Sequence, residues 1–194
     1  HAQVVCAFAN GMHVSVVQSE PPANKGYGNS TTIAFDVTDA SCAKLVLLAL
    51  AETVGARLRA AKVRAEVIAT GIKYSDFTCA SRQMTLCNGT NITAEIHRFA
   101  CQLFDKLWDG RPIRHLAIHT SRIKDGMDAR QLDLFEFTDY ERLEKLDAAV
   151  DAIRGRYGID SVKRASLINT PIDHMSGGIS REKRTVDYKK IIVN

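Results

Sequence analysis

Ser81-Arg82-Gln83-Met84-Thr85-Leu86, a turn, a helical segment closing at Trp108-Asp109-Gly110, and then Arg111-Pro112-Ile113-Arg114-His115-Leu116-Ala117-Ile118-His119 form the stretch that decides the fold. Between its two extended pieces, Ile96, Phe99, Ala100, Leu103, Phe104 and Leu107 recur at i, i+3, i+4 and i+7. One face of that helix therefore has to be buried. A sheet built from the flanking strands is the nearest surface that can bury it. Alternation in the last strand turns Leu116 and Ile118 inward and leaves His115, Ala117 and His119 opposite. Arginines at 82, 98, 111, 114 and 122 lie in or beside these elements, the makeup of a module that carries positive charge to a partner.

Upstream, Lys25-Gly26-Tyr27-Gly28-Asn29-Ser30-Thr31-Thr32-Ile33-Ala34-Phe35 reads as a first strand. Its glycines mark a place where another backbone comes close. Thr38 or Asp39 can cap a following helix with the stripe Leu47, Leu50, Ala51, Val54, Leu58 and Ala61. From Val63 to Tyr74 the period becomes two: Ile68 and Ile72 share one face, with Val67, Ala69, Gly71 and Lys73 on the other. Tyr74-Ser75-Asp76-Phe77 closes that strand with a turn. The order strand, helix, strand, strand, helix, strand predicts an α+β domain over residues 25–123: a four-stranded antiparallel sheet with two helices on one face, in the split β-α-β-β-α-β arrangement.

Residues 1–24 read as the end of a helix and a tether through Pro21-Pro22. Residues 124–194 read as a loop, a third helix over Tyr140–Tyr157 ended by Gly158, and an extended basic tail. That helix carries Leu143, Leu146, Val150 and Ile153 on one stripe.

The net charge of +4 is unevenly placed, because residues 25–123 hold 13 Lys or Arg against 8 Asp or Glu, while residues 124–194 balance at 13 each. The excess sits where a polyanion would be met. With 45% hydrophobic and 25% charged residues the chain reads as globular, and no apolar run approaches the ~20 residues of a membrane span. The start lacks the pattern of a secretory leader and lacks Met, as expected of a piece of a longer cytoplasmic chain. Five cysteines without a Cys-x-x-Cys pair are expected to be reduced and to bind no zinc.

Catalytic patterns are missing from the sequence. Asp36 and Asp39 suit a strand end and a helix cap. His115 and His119 share a strand face about 13 Å apart, too far to share a metal ion. There is no phosphate-binding Gly-x-x-x-x-Gly-Lys-Ser/Thr loop, and no nucleophile, base and orienter can be nominated. Gln131-Leu132-Asp133-Leu134-Phe135 is an apolar patch in polar surroundings. It either tucks under the following helix or offers one amide and two apolar anchors to a partner's pocket.

Taken in series, Lys25-Gly26-Tyr27-Gly28-Asn29-Ser30-Thr31-Thr32, Asp36, the Leu45 to Arg59 helix, Tyr74-Ser75-Asp76-Phe77, Ser81-Arg82-Gln83, Thr90-Asn91, Leu107-Trp108-Asp109-Gly110 and Pro112-Ile113-Arg114 resemble the C-terminal half of Y-family translesion DNA polymerases. The likeness is to the bacterial polymerase IV and ImpB/MucB/SamB type and covers about residues 7–165, with Ala9-Asn10-Gly11 similar to the end of the thumb. It implies a little finger domain gripping primer-template DNA in lesion bypass during the SOS response. Lys25, Gly26, Tyr27, Gly28, Asn29, Ser30 and Thr31 would form the first DNA-contacting strand, with Lys73, Arg82, Gln83 and Thr85 on or beside the same surface. Alternation, however, places Arg82 with Met84 and Leu86 on the core side, so its direction stays open. Gln131-Leu132-Asp133-Leu134-Phe135 resembles the family's peptide for the bacterial sliding clamp.

The palm carboxylates that hold the family's Mg2+ ions have no counterpart in this sequence, so the resemblance implies a non-catalytic, cofactor-free part of a DNA-directed DNA polymerase. Two other readings remain. One is a catalytically inactive Y-family relative acting as an interaction hub. The other is an unrelated ferredoxin-like RNA- or ligand-binding module, disfavoured for RNA because the middle strands lack paired exposed aromatics for stacking.

Overall fold

The computed structural model describes residues 2–12, 24–126, 139–168 and 170. Helix α1 spans Ala2–Ala9, and none of its residues is buried. The sheet domain then runs β1 (Gly28–Val37), α2 (Ala40–Ala60), β2 (Val63–Tyr74), β3 (Cys79–Thr90), α3 (Thr93–Leu107) and β4 (Ile113–Asp125), followed by α4 (Tyr140–Tyr157) and a short 3-10 turn, Ala165–Leu167. The strands pair antiparallel throughout, in the order β1-β4-β2-β3. This is the α+β arrangement expected from the sequence, with β3 and β4 both longer than alternation alone suggested.

Local chemistry accounts for most boundaries. Asp39 caps α2 by accepting the Cys42 N–H at 2.9 Å. Gly158 ends α4 at φ 94°, a conformation open to glycine. In β4, Arg122 adopts φ 51°, and the inward side changes there from even to odd residues: Thr120 is buried, whereas beyond the kink Ile123 packs on the core.

Helices α2 and α3 lie on one face of the sheet. Leu47, Leu50, Leu58, Ile96 and Phe104 meet Ile68, Leu116 and Ile118, all fully buried. Each such side chain contributes about 1.5–3 kcal/mol through its burial. Leu48, Glu52 and Gly55 of α2 are buried as well, Gly55 against Arg59, Thr93 and Asn91, and α4 docks on α2 at Glu52 and Arg59.

That docking is ionic, not the apolar stripe expected of the third helix. Leu146 and Ile153 are 54% and 40% exposed. Arg59 of α2 instead donates to Asp151 at 2.6 and 3.1 Å and to Asp147 at 3.0 Å. Glu52 is held by Arg164 at 2.7 Å and Arg154 at 3.3 Å, and Arg64 meets Glu144 at 2.7 Å. Asp147 also caps another helix: α3 begins after Ile92, which has no side chain to cap it, and the Thr93 N–H donates to Asp147 at 2.8 Å. A carboxylate there also meets the positive end of the helix dipole.

Candidate nucleic-acid interface

The helices lie on one side of the sheet, and among the described residues no helix packs on the other. Cross-strand pairing assigns that face to Gly28, Ser30 and Thr32 of β1, and to His115, Ala117, His119 and Ser121 of β4. Val67, Ala69, Gly71 and Lys73 of β2 and Cys79, Ser81, Gln83 and Thr85 of β3 complete it. Its centre is small and uncharged: a Cβ added at Gly71 would lie 3.7 Å from the Ala117 Cβ, ordinary contact distance. Lys73 stands at one end of it; the exposed Arg114 and Arg122 flank its β4 residues at the two ends, and the exposed Lys25 precedes β1. Along β4 the two ends stand about 26 Å apart at strand rise. A polyanion's backbone can lie across such a face while its charges meet these cations.

The candidate residues divide between the two faces. Gly28, Ser30, Lys73, Gln83 and Thr85 lie on the open side. Asn29 and Thr31 do not: they pair with Ile118 and Leu116, and Asn29 is buried on the helix side. Arg82 pairs with Thr70, points to the helix side, and donates to the Lys106 carbonyl at the end of α3 at 3.3 Å. Period two forces this, because its neighbours Met84 and Leu86 are needed for the core. Gly26 and Tyr27 serve the strand's attachment: the Thr120 N–H donates to the Tyr27 carbonyl at 2.7 Å, and the Tyr27 N–H donates to Thr120 Oγ1 at 3.2 Å. Gln131 to Phe135 lie outside the described residues.

Several arginines credited with carrying charge outward are engaged inside the domain. Arg111 stacks 3.8 Å from the Tyr74 ring centroid and pairs with Asp109 and Asp76 at 2.8 and 3.1 Å. Arg98 pairs with Glu95 and stacks on Phe99. Arg114 is the exposed cation at that end of the open face, and its sequence signal was a place beside Pro112-Ile113 at the start of β4. His115 accepts or donates a hydrogen bond with Thr32 Oγ1 at 3.0 Å. Burial, with Lys73 and His119 nearby, holds its imidazole below the ordinary range, so it is neutral at pH 7.

One constellation resembles a nucleophile and base: Cys101 Sγ lies 3.2 Å from His97 Nε2. Burial pushes the thiol up to about 11 and the imidazole down. Neither the thiolate nor the imidazolium forms near neutrality. Among the described residues there is no group of three His, Cys, Asp or Glu placed to hold a metal ion, and no helix long and apolar enough to cross a membrane. A cleft of about 630 Å³ lies between α2 and α4, away from the sheet face, lined by Ala56, Ala148 and Ile159 among others.

The split β-α-β-β-α-β sheet, with α2 and α3 on one side and a face of mostly small residues on the other, gives the domain an α+β architecture. Residues 24–134 match the impB/mucB/samB family C-terminal domain, and the chain belongs to that family. DNA polymerase IV of Clostridium kluyveri is 32% identical over 170 residues, covering 83% of this chain and 42% of the relative. DNA polymerase IV 2 of Halalkalibacterium halodurans is 35% identical over 169 residues, covering 85% and 41%. The chain thus spans about two fifths of the length of these curated relatives. Among solved structures, the little finger domain of PolIV, determined in complex with the beta-clamp processivity factor, overlays at TM-score 0.45 and 21% identity, over 57% of this chain and 99% of that one.

Proposed function

We propose that the domain grips primer-template DNA with its open sheet face, without reading sequence, and docks on the bacterial sliding clamp through Gln131-Leu132-Asp133-Leu134-Phe135. In this reading it is the accessory end of a cytoplasmic translesion DNA polymerase acting in lesion bypass. Nucleotidyl transfer and its Mg2+ belong to the part of the relatives that this chain does not span. The observation that carries the DNA reading is the small-residue face with cations at both ends. Lys25, Gly26, Tyr27, Gly28 and Ser30 supply its first strand and that strand's anchor, and Lys73, Gln83 and Thr85 its far side.

Titrating a labelled primer-template with the chain at several salt concentrations tests this. Contacts to about three phosphates give a slope of log affinity against log salt near −2.7. Lys73→Ala is expected to weaken binding several-fold on every sequence and to flatten the slope by about 0.9. Arg82→Ala, on the helix side, leaves both unchanged. A wild type that binds no DNA at low salt, or a flat salt response, refutes the reading.

Clamp docking is read separately. Leu134→Ala/Phe135→Ala removes both apolar anchors and is expected to lower affinity for an immobilised bacterial sliding clamp by at least about tenfold, since anchor residues of this kind carry most of such an interface. DNA affinity should not move. Equal clamp binding by wild type and double variant would discard the peptide's role.

A further inference from the structure

Phe77 is 64% exposed, and among the described residues 24–126 it is the one large hydrophobic side chain presented to solvent. It sits at the tip of the β2–β3 hairpin with φ 68°, in the left-handed region. Glycine or asparagine enters that region easily, and a bulky aromatic residue does so at a cost. The conformation is enforced by its surroundings. The Phe77 N–H donates to the Tyr74 carbonyl at 3.0 Å and the Tyr74 N–H to the Thr78 carbonyl at 2.9 Å. Asp76 accepts from the Thr78 N–H and hydroxyl at 2.9 and 2.6 Å, bonds that hold its carboxyl below the usual range. Arg111, two residues before β4, ties the same turn to that segment by donating to Asp76 and Thr78 at 3.1 and 3.0 Å. A strained backbone kept by so many bonds, with an aromatic ring held outward, points to a contact that the ring makes.

The neighbours of the ring define the contact. Lys73 Nζ lies 4.9 Å and Arg114 Cζ 5.7 Å from its centroid, and among the described residues neither cation pairs with a carboxylate. An apolar protein partner would bury these charges against Phe77 at a high desolvation cost. A nucleotide satisfies all three groups: the base stacks on the ring while the cations take its phosphates. Arg114 is exposed and can swing from the ring to a phosphate as a base arrives.

We propose that Phe77, flanked by Lys73 and Arg114, is a stacking site for one unpaired base, so that the domain holds single-stranded nucleotide next to the duplex on its sheet face. This rests on the reading of the open face as a DNA surface. It adds a preference that the face alone does not give: a primer-template with a single-stranded overhang should bind better than blunt duplex.

The test compares the chain with Phe77→Asn and Phe77→Trp, titrated by fluorescence anisotropy against a blunt duplex and against the same duplex with a single-stranded overhang. Asparagine tolerates the backbone and removes the ring, so the thermal midpoint should not fall. Wild type is expected to favour the overhang by about tenfold, within the range that one stacked base supplies. Phe77→Asn should lose that preference with blunt-duplex affinity and salt slope unchanged, and Phe77→Trp should keep it. An overhang bound no better than blunt duplex by wild type, or a preference that survives in Phe77→Asn, overturns the stacking site and leaves the ring to a protein contact while the DNA reading stands. Failure of wild type to bind either DNA would instead refute the DNA reading beneath it.

Discussion

Asp147→Ala is expected to cost the chain about 3 kcal/mol or more of unfolding free energy, within the range for breaking a buried ion pair from one side. The side chains of Arg59 and Asp147 are only 13% and 8% exposed, so solvent does little to replace the lost partner. The substitution leaves the Thr93 N–H at the start of α3 without its acceptor and removes one of the two carboxylates on Arg59. It also takes away the carboxylate facing Arg164 at 3.7 Å. Urea unfolding followed by circular dichroism measures the loss. Asp147→Asn should lose less, because its amide oxygen can still accept from Thr93 but carries no charge for Arg59. Arg59→Ala combined with Asp147→Ala should cost less than the sum of the two, since both remove one interaction. A midpoint unchanged in Asp147→Ala would mean that α4 is not held on α2 by this network.

Gly26→Ala is expected to destabilise the chain by about 3 kcal/mol, toward the upper end for forcing extra atoms into a packed site. A Cβ at residue 26 would lie 1.9 Å from the Thr120 carbonyl oxygen. That oxygen belongs to a backbone already fixed, since the Thr120 N–H and hydroxyl both donate to the Tyr27 carbonyl, at 2.7 and 2.8 Å. Neither side can yield without releasing the start of β1 from β4. Hydrogen exchange at the Thr120 amide should speed up, and DNA affinity should fall with it because β1 supplies one border of the open face. Gly71→Ala is the matched comparison: its Cβ finds Ala117 at 3.7 Å, so the fold should change by less than about 0.5 kcal/mol. Equal behaviour of the two variants would refute the close-approach argument for Gly26.

Alternation and helical spacing were enough to place Ile68, Ile72, Leu116 and Ile118 on one face of the sheet and Lys73, Gly71, Ala117, His115 and His119 on the other. The same rule set against the resemblance left Arg82 undecided, and the register with Thr70 puts it on the helix side. Asn29 and Thr31 belong to the strand that the resemblance names; a strand has two faces, and the register turns these two side chains to the helix side with Gly28 and Ser30 opposite. The α4 stripe misled for a different reason. Leu146 and Ile153 have the right spacing, but the partner surface on α2 carries Glu52 and Arg59, and the helix turned its charged side toward them.

What the sequence determined by itself was therefore the part that depends on neighbours a few residues apart: the two periods, the Asp39 cap, the Gly158 stop, the order of elements and hence the open sheet face. Only the tertiary structure decided which charges remain for a partner. Arg59 meets carboxylates 88 and 92 residues away, and α3 receives its cap across 54 residues. Such pairings follow from how helices pack, and many Lys–Asp and Arg–Glu combinations in the chain are locally equivalent. The Phe77 turn draws on both: the bonds among Tyr74, Asp76, Phe77 and Thr78 are local, and Arg111, 35 and 33 residues away, adds its bonds to Asp76 and Thr78 only once the chain has folded back.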